Sequence, residues 1–288
     1  MPHTLNQDKR TMNLFCRVTL IALLCILPMS RALAGLMLYP TRIVFEGNDR
    51  AAQLELINTG AETETYRISL VNRHMSETGA FSAIDVPITG EKFADDKLRY
   101  SPRQVTLAPG VGQTIRIMVR KPANLASGEY RSHLLLAKQP DSRASNSVEG
   151  NNTEDDDNIS ITLTTLVSTT IPVIVRHGNT DASITMTHLK LQRPTDKAPV
   201  LTFVLERDGN ESVYGDLTIS FTPDGGSEQV LERADGVAVY FPNPLRRVSI
   251  KLNSVNSSQF SNGILRVTYR EQAEDGGELM AKATLQLP

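Results

Sequence analysis

The run Ile159-Ser160-Ile161-Thr162-Leu163-Thr164-Thr165-Leu166-Val167-Ser168-Thr169-Thr170-Ile171-Pro172-Val173-Ile174-Val175 carries no charge, is rich in β-branched residues and follows an Asp/Asn-rich stretch. At about 3.3 Å per residue it would extend roughly 55 Å, whereas strands usually hold about 3 to 10 residues. Its first half alternates: Ile159, Ile161, Leu163 and Val167 face one way, Ser160, Thr162, Thr164 and Ser168 the other, with Thr165 diluting the apolar side. Either the run is one buried strand with a bulge, or its first part is an apolar edge kept for another polypeptide. Proteins avoid the second arrangement unless the edge has a task.

The first 34 residues read as a cleaved secretory leader. Lys9, Arg10 and Arg17 form a basic start, Val18 to Leu27 an apolar core, and Ala32-Leu33-Ala34 a small-x-small cleavage pattern, so the mature chain is expected to begin at Gly35. Met12 is an alternative start to Met1 that leaves the same product. The apolar core is shorter than the roughly 18 residues of a membrane span, so no membrane insertion is expected after cleavage. Both cysteines, Cys16 and Cys25, lie in the leader, and the exported protein has none to oxidise. Removing the leader takes four basic residues and one acid, leaving 30 − 4 = 26 Lys+Arg against 32 − 1 = 31 Asp+Glu, a net charge of −5. That balance, with no surviving basic block, argues against nucleic acid as a partner.

Short β-type segments separated by turn residues fill the remainder, and no long segment has a 3.6-residue apolar period. Thr41 to Phe45, Ala52 to Ile57, Tyr66 to Val71, Val105 to Leu107, Thr114 to Val119 and Tyr130 to Ala137 are predicted strands, with turns at Glu46 to Asp49, Asn58 to Gly60 and Ala108 to Gly110. Gln139 to Asn158 is too polar to bury itself and reads as a loop. After Arg176 to Ala182 a second β pattern begins, with strands at Thr202 to Leu205, Leu217 to Phe221 and Val237 to Phe241 and hairpin signals at Asp224-Gly225-Gly226 and Asp275-Gly276-Gly277. The expected fold is all-β: two immunoglobulin-like β-sandwich domains, 35–177 and 178–288, joined by a short linker.

Catalytic handles are scarce. The mature chain has four histidines, His74, His133, His177 and His188, at no metal-ligand spacing, and no H-E-x-x-H or G-x-S-x-G pattern. The acidic run Glu154 to Asp157 lacks the glycine and ligand spacing of a calcium loop. No enzyme, metal or cofactor is expected.

Four stretches in order carry a likeness: Pro40-Thr41-Arg42-Ile43-Val44-Phe45-Glu46-Gly47; Ser101-Pro102 followed by Leu107-Ala108-Pro109-Gly110-Val111-Gly112-Gln113-Thr114; Gly128-Glu129-Tyr130-Arg131; and the long run ending Ile171-Pro172-Val173-Ile174-Val175-Arg176. Together they resemble the PapD-like periplasmic chaperones of the chaperone-usher pathway, in a divergent or archaic-type branch. The resemblance implies a non-enzymatic periplasmic protein that binds, folds and caps pilus (fimbrial) subunits and delivers them to an outer-membrane usher. It implies that the run 159–175 completes a strand-deficient subunit, through Ile159, Ile161, Leu163 and Val167. It further implies that Arg42 grips the subunit's C-terminal carboxylate. The family's second clamp residue, a lysine, is replaced here by Pro172; Arg176, four residues on, either substitutes for it or caps the interdomain turn. The alternative reading of the whole chain is a structural pilus subunit or adhesin of β-sandwich type.

Overall fold

A computed structural model describes residues 35–140, 167–194, 198–252 and 262–288. Among them the structure is strands and turns, with two single 3-10 turns at Asp95–Lys97 and Ala273–Asp275. The first half holds β1 (Leu36–Tyr39), β2 (Ile43–Phe45), β3 (Ala51–Asn58), β4 (Glu64–Val71), β5 (Arg73–Met75), β6 (Phe81–Ala83), β7 (Leu98–Ser101), β8 (Gln104–Leu107), β9 (Gly112–Val119), β10 (Gly128–Lys138) and β11 (Ser168–His177). The second half holds β12 (Ala182–Gln192), β13 (Val200–Gly209), β14 (Val213–Pro223), β15 (Gln229–Val239), β16 (Leu245–Lys251), β17 (Gly263–Arg270) and β18 (Leu279–Leu287).

Sheets β1-β3-β9-β7 and β2-β11-β10-β4-β8 face each other over one core. The alternation that marks β3 and β9 in sequence decides which face turns inward: Leu54 and Leu56 in β3, and Ile115 and Ile117 in β9, are fully buried against Phe45, Leu134, Val173 and Val175 of the other sheet. Sheets β12-β13-β16 and β15-β14-β17-β18 build a second core around Leu201, Phe203, Leu205, Leu217, Ile219, Val267 and Tyr269. The hairpin signal at Asp224 to Gly226 joins β14 to β15, and that at Asp275 to Gly277 joins β17 to β18.

Two details differ from the sequence reading. Thr41 and Arg42 precede β2, whose strand starts at Ile43. Leu36–Tyr39, where no strand was predicted, is an edge strand antiparallel to β3, from Leu36 opposite Asn58 to Tyr39 opposite Glu55. Four residues are too few to show a period on their own, and β3 supplies the pairing that makes them a strand. Among the described residues the long run forms the strand Ser168–His177. Ile159, Ile161 and Leu163 lie outside the described residues, and Val167 stands just before β11 with 67% of its surface exposed.

The turn at Asn58 works because its side chain is wholly buried and fully bonded. Nδ2 donates to the carbonyls of Glu62 (2.7 Å) and Leu107 (2.9 Å), and Oδ1 accepts from the Gly60 amide (2.9 Å). Its backbone meets the next turn as well, donating to Val111 O (3.1 Å) and accepting from Gly110 N (2.8 Å). Asn58→Ala therefore removes three hydrogen bonds, one of them to the buried Leu107 carbonyl, and urea unfolding should show a loss of about 2–3 kcal/mol.

Candidate functional site

Strands β10 and β11 are buried on both faces, and their alternation sorts two kinds of residue. Tyr130, Leu134 and Leu136 of β10, with Ile171, Val173 and Val175 of β11, enter the first core. Glu129, Arg131 and His133, with Ile174 and Arg176, point instead toward the second sandwich, and Glu129 stands directly across the ladder from Arg176.

Glu129 is 2% exposed and bridges the domains. Its Oε2 accepts from the Ser212 amide (2.8 Å) and from Arg176 Nε (3.3 Å), while its Oε1 accepts a short hydrogen bond from the Ser212 hydroxyl. Ser212 Oγ in turn accepts from the Phe241 amide (2.9 Å). Two residues along β10, Arg131 donates to Glu91 (2.9 Å) and to the Phe241 carbonyl (2.8 Å) and lies 4.5 Å over the Tyr240 ring. Met75, Ile174, Ala238 and Tyr240 form a small apolar cluster beside these bonds. From the β5–β6 turn, Glu77 O accepts from the Arg247 amide (2.7 Å), and Met75 O accepts from Asn243 Nδ2 (2.5 Å).

Beside this seam lies an open cleft of about 770 Å³ between the two sandwiches, walled by β2, the start of β12, the Glu211–Tyr214 segment and the β17–β18 hairpin. Both arginines singled out in the sequence line it, in different states. Arg176 pairs with Glu46 (2.5 Å), Glu129 (3.3 Å) and Glu211 (3.3 Å) and donates to the Ser212 carbonyl (3.0 Å). Burial alone would push its guanidinium down, but Glu129, Glu211 and Glu46 outweigh that and hold its pKa above the ordinary value. Its backbone carbonyl also accepts from Lys121 (2.8 Å), which reaches Gly47 O (3.0 Å) too.

Arg42 does not pair with its sequence neighbours Glu46 or Asp49. It crosses to the other domain, 2.6 Å from Asp275 on the β17–β18 hairpin and 4.1 Å over the Tyr214 ring. The Arg42 side chain is 15% exposed and that of Asp275 46%, and a single ion pair with one partner this open to solvent is worth about 1 kcal/mol. Arg42 can thus exchange its carboxylate for another at little cost, whereas Arg176 is committed to the domain seam.

The register places Arg42 against β11. β2 runs parallel to β11 with Ile43, Val44 and Phe45 opposite Val173, Ile174 and Val175, so Arg42 stands one residue before the first paired position. On its other side β11 pairs with β10 all the way from Ser168 to His177. From Ser168 to Pro172, β11 therefore has a neighbour on one side only, among the described residues. Pro172, which has no N–H, falls where the ladder to β2 has not begun, as its chemistry requires.

The sequence reading did not assign Glu129, Arg131, His133, Ser212, Tyr214 or Asp275. A signal existed for the first three: charged or polar residues at alternate positions of a strand whose other positions are apolar mark a face that meets something polar. Ser212, Tyr214 and Asp275 reach the site only through the packing of the second domain, which no local pattern records.

No family model and no curated protein sequence matches this chain. Among solved structures it is similar to a chaperone-tip adhesin complex of CFA/I fimbriae biogenesis (15% identity, TM-score 0.42, covering 88% of this chain and 99% of that one). It is similar also to the CsuC-CsuE chaperone-tip adhesion subunit complex of Acinetobacter baumannii (11%, 0.44, 88% and 98%) and to the CupB2 chaperone of Pseudomonas aeruginosa (13%, 0.42, 88% and 100%).

Two predictions follow from the seam. Glu129→Ala leaves Arg176 and Ser212 without their shared acceptor, and denaturant unfolding should show a loss of about 3–5 kcal/mol. His133 is buried with neither ring nitrogen bonded, against the edge of Phe81 (5.5 Å); burial, with Arg131 and Arg73 nearby, lowers its pKa from 6.5 to about 3. The folded protein keeps this ring neutral while the unfolded chain protonates below pH 6.5, so stability falls as pH drops from 6.5 to about 3. His133→Leu should remove about 4–5 kcal/mol of that acid sensitivity, read as a flatter plot of unfolding free energy against pH.

Proposed function

We propose that this protein is a periplasmic chaperone of pilus (fimbrial) subunits, a binding protein and not an enzyme, exported by a leader cleaved after Ala34. The observation that carries the reading is the side-by-side placement of an exchangeable arginine, Arg42, and the open edge of β11 from Ser168 to Pro172.

A polypeptide whose C-terminal carboxylate takes the place of Asp275 on Arg42 can run back along that open edge toward Val167. Its chain then has the same direction as β11, extending the parallel pairing that β2 begins. Backbone hydrogen bonds along an edge accept any sequence, and side-chain pockets select among partners. Ile159, Ile161, Leu163 and Val167 supply those side chains, entering the groove of a subunit sandwich that lacks a strand of its own. If each of the four contributes about 1.5–3 kcal/mol, burial reaches roughly 6–12 kcal/mol before ordering costs. A guanidinium suits the terminal clamp because it is charged at every relevant pH and matches a carboxylate with two parallel donors.

In this reading Arg176 contributes charge to the cleft while holding the domains, and Arg42 carries the exchange. The acids that share the cleft, including Glu46, Asp49, Glu211, Glu271 and Glu278, favour a subunit whose last residues carry positive charge beside the terminal carboxylate. Delivery to an outer-membrane usher completes the proposed role.

Co-expression with a strand-deficient secreted sandwich protein encoded beside this gene tests the reading. Wild type should capture that subunit, Arg42→Ala should weaken capture by about 30-fold or more, and Leu163→Glu should abolish it. Equal recovery by all three proteins would sink the proposal.

A further inference from the structure

On the side of the first sandwich where β11 begins, a cavity of about 490 Å³ is lined by Gly35, Glu62, Glu64, Tyr66 and Lys138, with Val167 and Thr169 at its wall. Glu64 is its chemical centre. The side chain is only 11% exposed; it accepts from Lys138 Nζ (2.7 Å) and takes a short hydrogen bond from the Tyr66 hydroxyl. Burial pushes this carboxyl up, but the bonds from Lys138 and Tyr66 prevail and hold it ionised below its ordinary pKa.

Gly35 lies against this carboxylate. Its Cβ position is 3.6 Å from Glu64 Oε2 and 3.8 Å from Oε1, and its Cα is 3.8 Å from the Cβ position of Gly60. The next residue, Leu36, is already in register opposite Asn58. The cavity holds two carboxylates, Glu62 and Glu64, against one lysine, so it is one cation short of neutral.

We propose that Glu64 is the seat of the α-ammonium group created when the leader is removed, so that cleavage itself completes an ion pair that fixes β1. The proposal rests on the reading that the chain is cut after Ala34. In that step water adds across the Ala34–Gly35 amide, leaving a carboxylate on Ala34 and, on Gly35, an amine that takes up a proton at neutral pH. Before cleavage the same nitrogen is a neutral amide with one N–H; afterwards it carries a full charge and three donors. A largely buried carboxylate holds such a group more firmly than an exposed acid does, and with Glu62 beside it the cavity has more carboxylate than Lys138 offsets. Anchoring Gly35 fixes the start of an edge strand whose chain reaches Arg42 seven residues later.

The test compares protein that begins at Gly35 with protein that keeps Leu33-Ala34 ahead of it. The pKa of the α-amine is read by NMR of the terminal group. In the first protein it should lie about one unit, a tenfold change in proton affinity, above the ordinary range of about 7.7–8.0. It should return to that range in Glu64→Gln, and Lys138→Met, which frees Glu64 for the terminus, should raise it further. The urea midpoint of the extended protein should be lower than that of the Gly35 protein, with the gap closed in the Glu64→Gln background. An ordinary α-amine pKa with Glu64 intact, or equal urea midpoints, overturns the seat. N-terminal sequencing of the exported protein separately decides the cleavage site, and a mature terminus other than Gly35 ends the maturation role whatever the titration shows.

Discussion

Glu129 is a carboxylate at the inner end of a strand, closed off from water, whose hydrogen bonds come from both halves of the molecule. Such a group is tolerable only while its partners are in place, because an ionised carboxylate without them costs several kcal/mol to bury. Ser212 offers its amide and its hydroxyl, and Arg176 its Nε, so the second sandwich has one orientation in which Glu129 is satisfied. Glu129 thus helps to set the angle between the domains, together with the apolar cluster of Met75, Ile174, Ala238 and Tyr240. The four-residue connection from Gly178 to Asp181 is itself tied to the second sandwich by Asn210, which bonds Asn179 and Asp181.

From that constraint the cleft follows. With the second domain held by Ser212, the neighbouring Tyr214 and the β17–β18 hairpin come to rest over the end of β2, where they meet Arg42. The side chains of the two arginines are equally exposed, at 15%, and they divide by the number of their partners. A guanidinium among three carboxylates is structural, and one beneath a single half-exposed carboxylate is available for exchange. Arg176 gives Nε to Glu129, Nη1 to Glu46 and Nη2 to the Ser212 carbonyl, which ties it to both walls of the cleft.

Much of the architecture was legible because it is written at period two. The alternating residues of β3, β9 and β14 declare their inner faces directly, and Asn58-Thr59-Gly60 declares a turn through residue types that bond their own backbone. Arg42 was reached through the family resemblance and not through any pattern of its own stretch. What could not be read were contacts across great sequence separation: Arg42 with Asp275, 233 positions away, and Glu129 with Ser212, 83 away. Neither distance is encoded in any local pattern. β1 escaped for a different reason, since four residues beside a proline become a strand only when β3 pairs with them.

An open strand edge is a hazard to a free protein, and the composition of β11 bears on how this one is contained. Over the five positions without a second neighbour, Ser168, Thr169 and Thr170 present hydroxyls, and Pro172 has no donor; Ile171 is turned into the core. Another copy of the chain approaching this edge finds few apolar side chains to bury and a broken ladder. A partner that ends in a free carboxylate gains what a second copy passing through in mid-chain cannot, an ionic contact at Arg42 at the point where the ladder to β2 starts. On the proposed reading, the backbone edge supplies contact to any strand. The requirement for a chain end beside Arg42 is what separates the intended strand from all others.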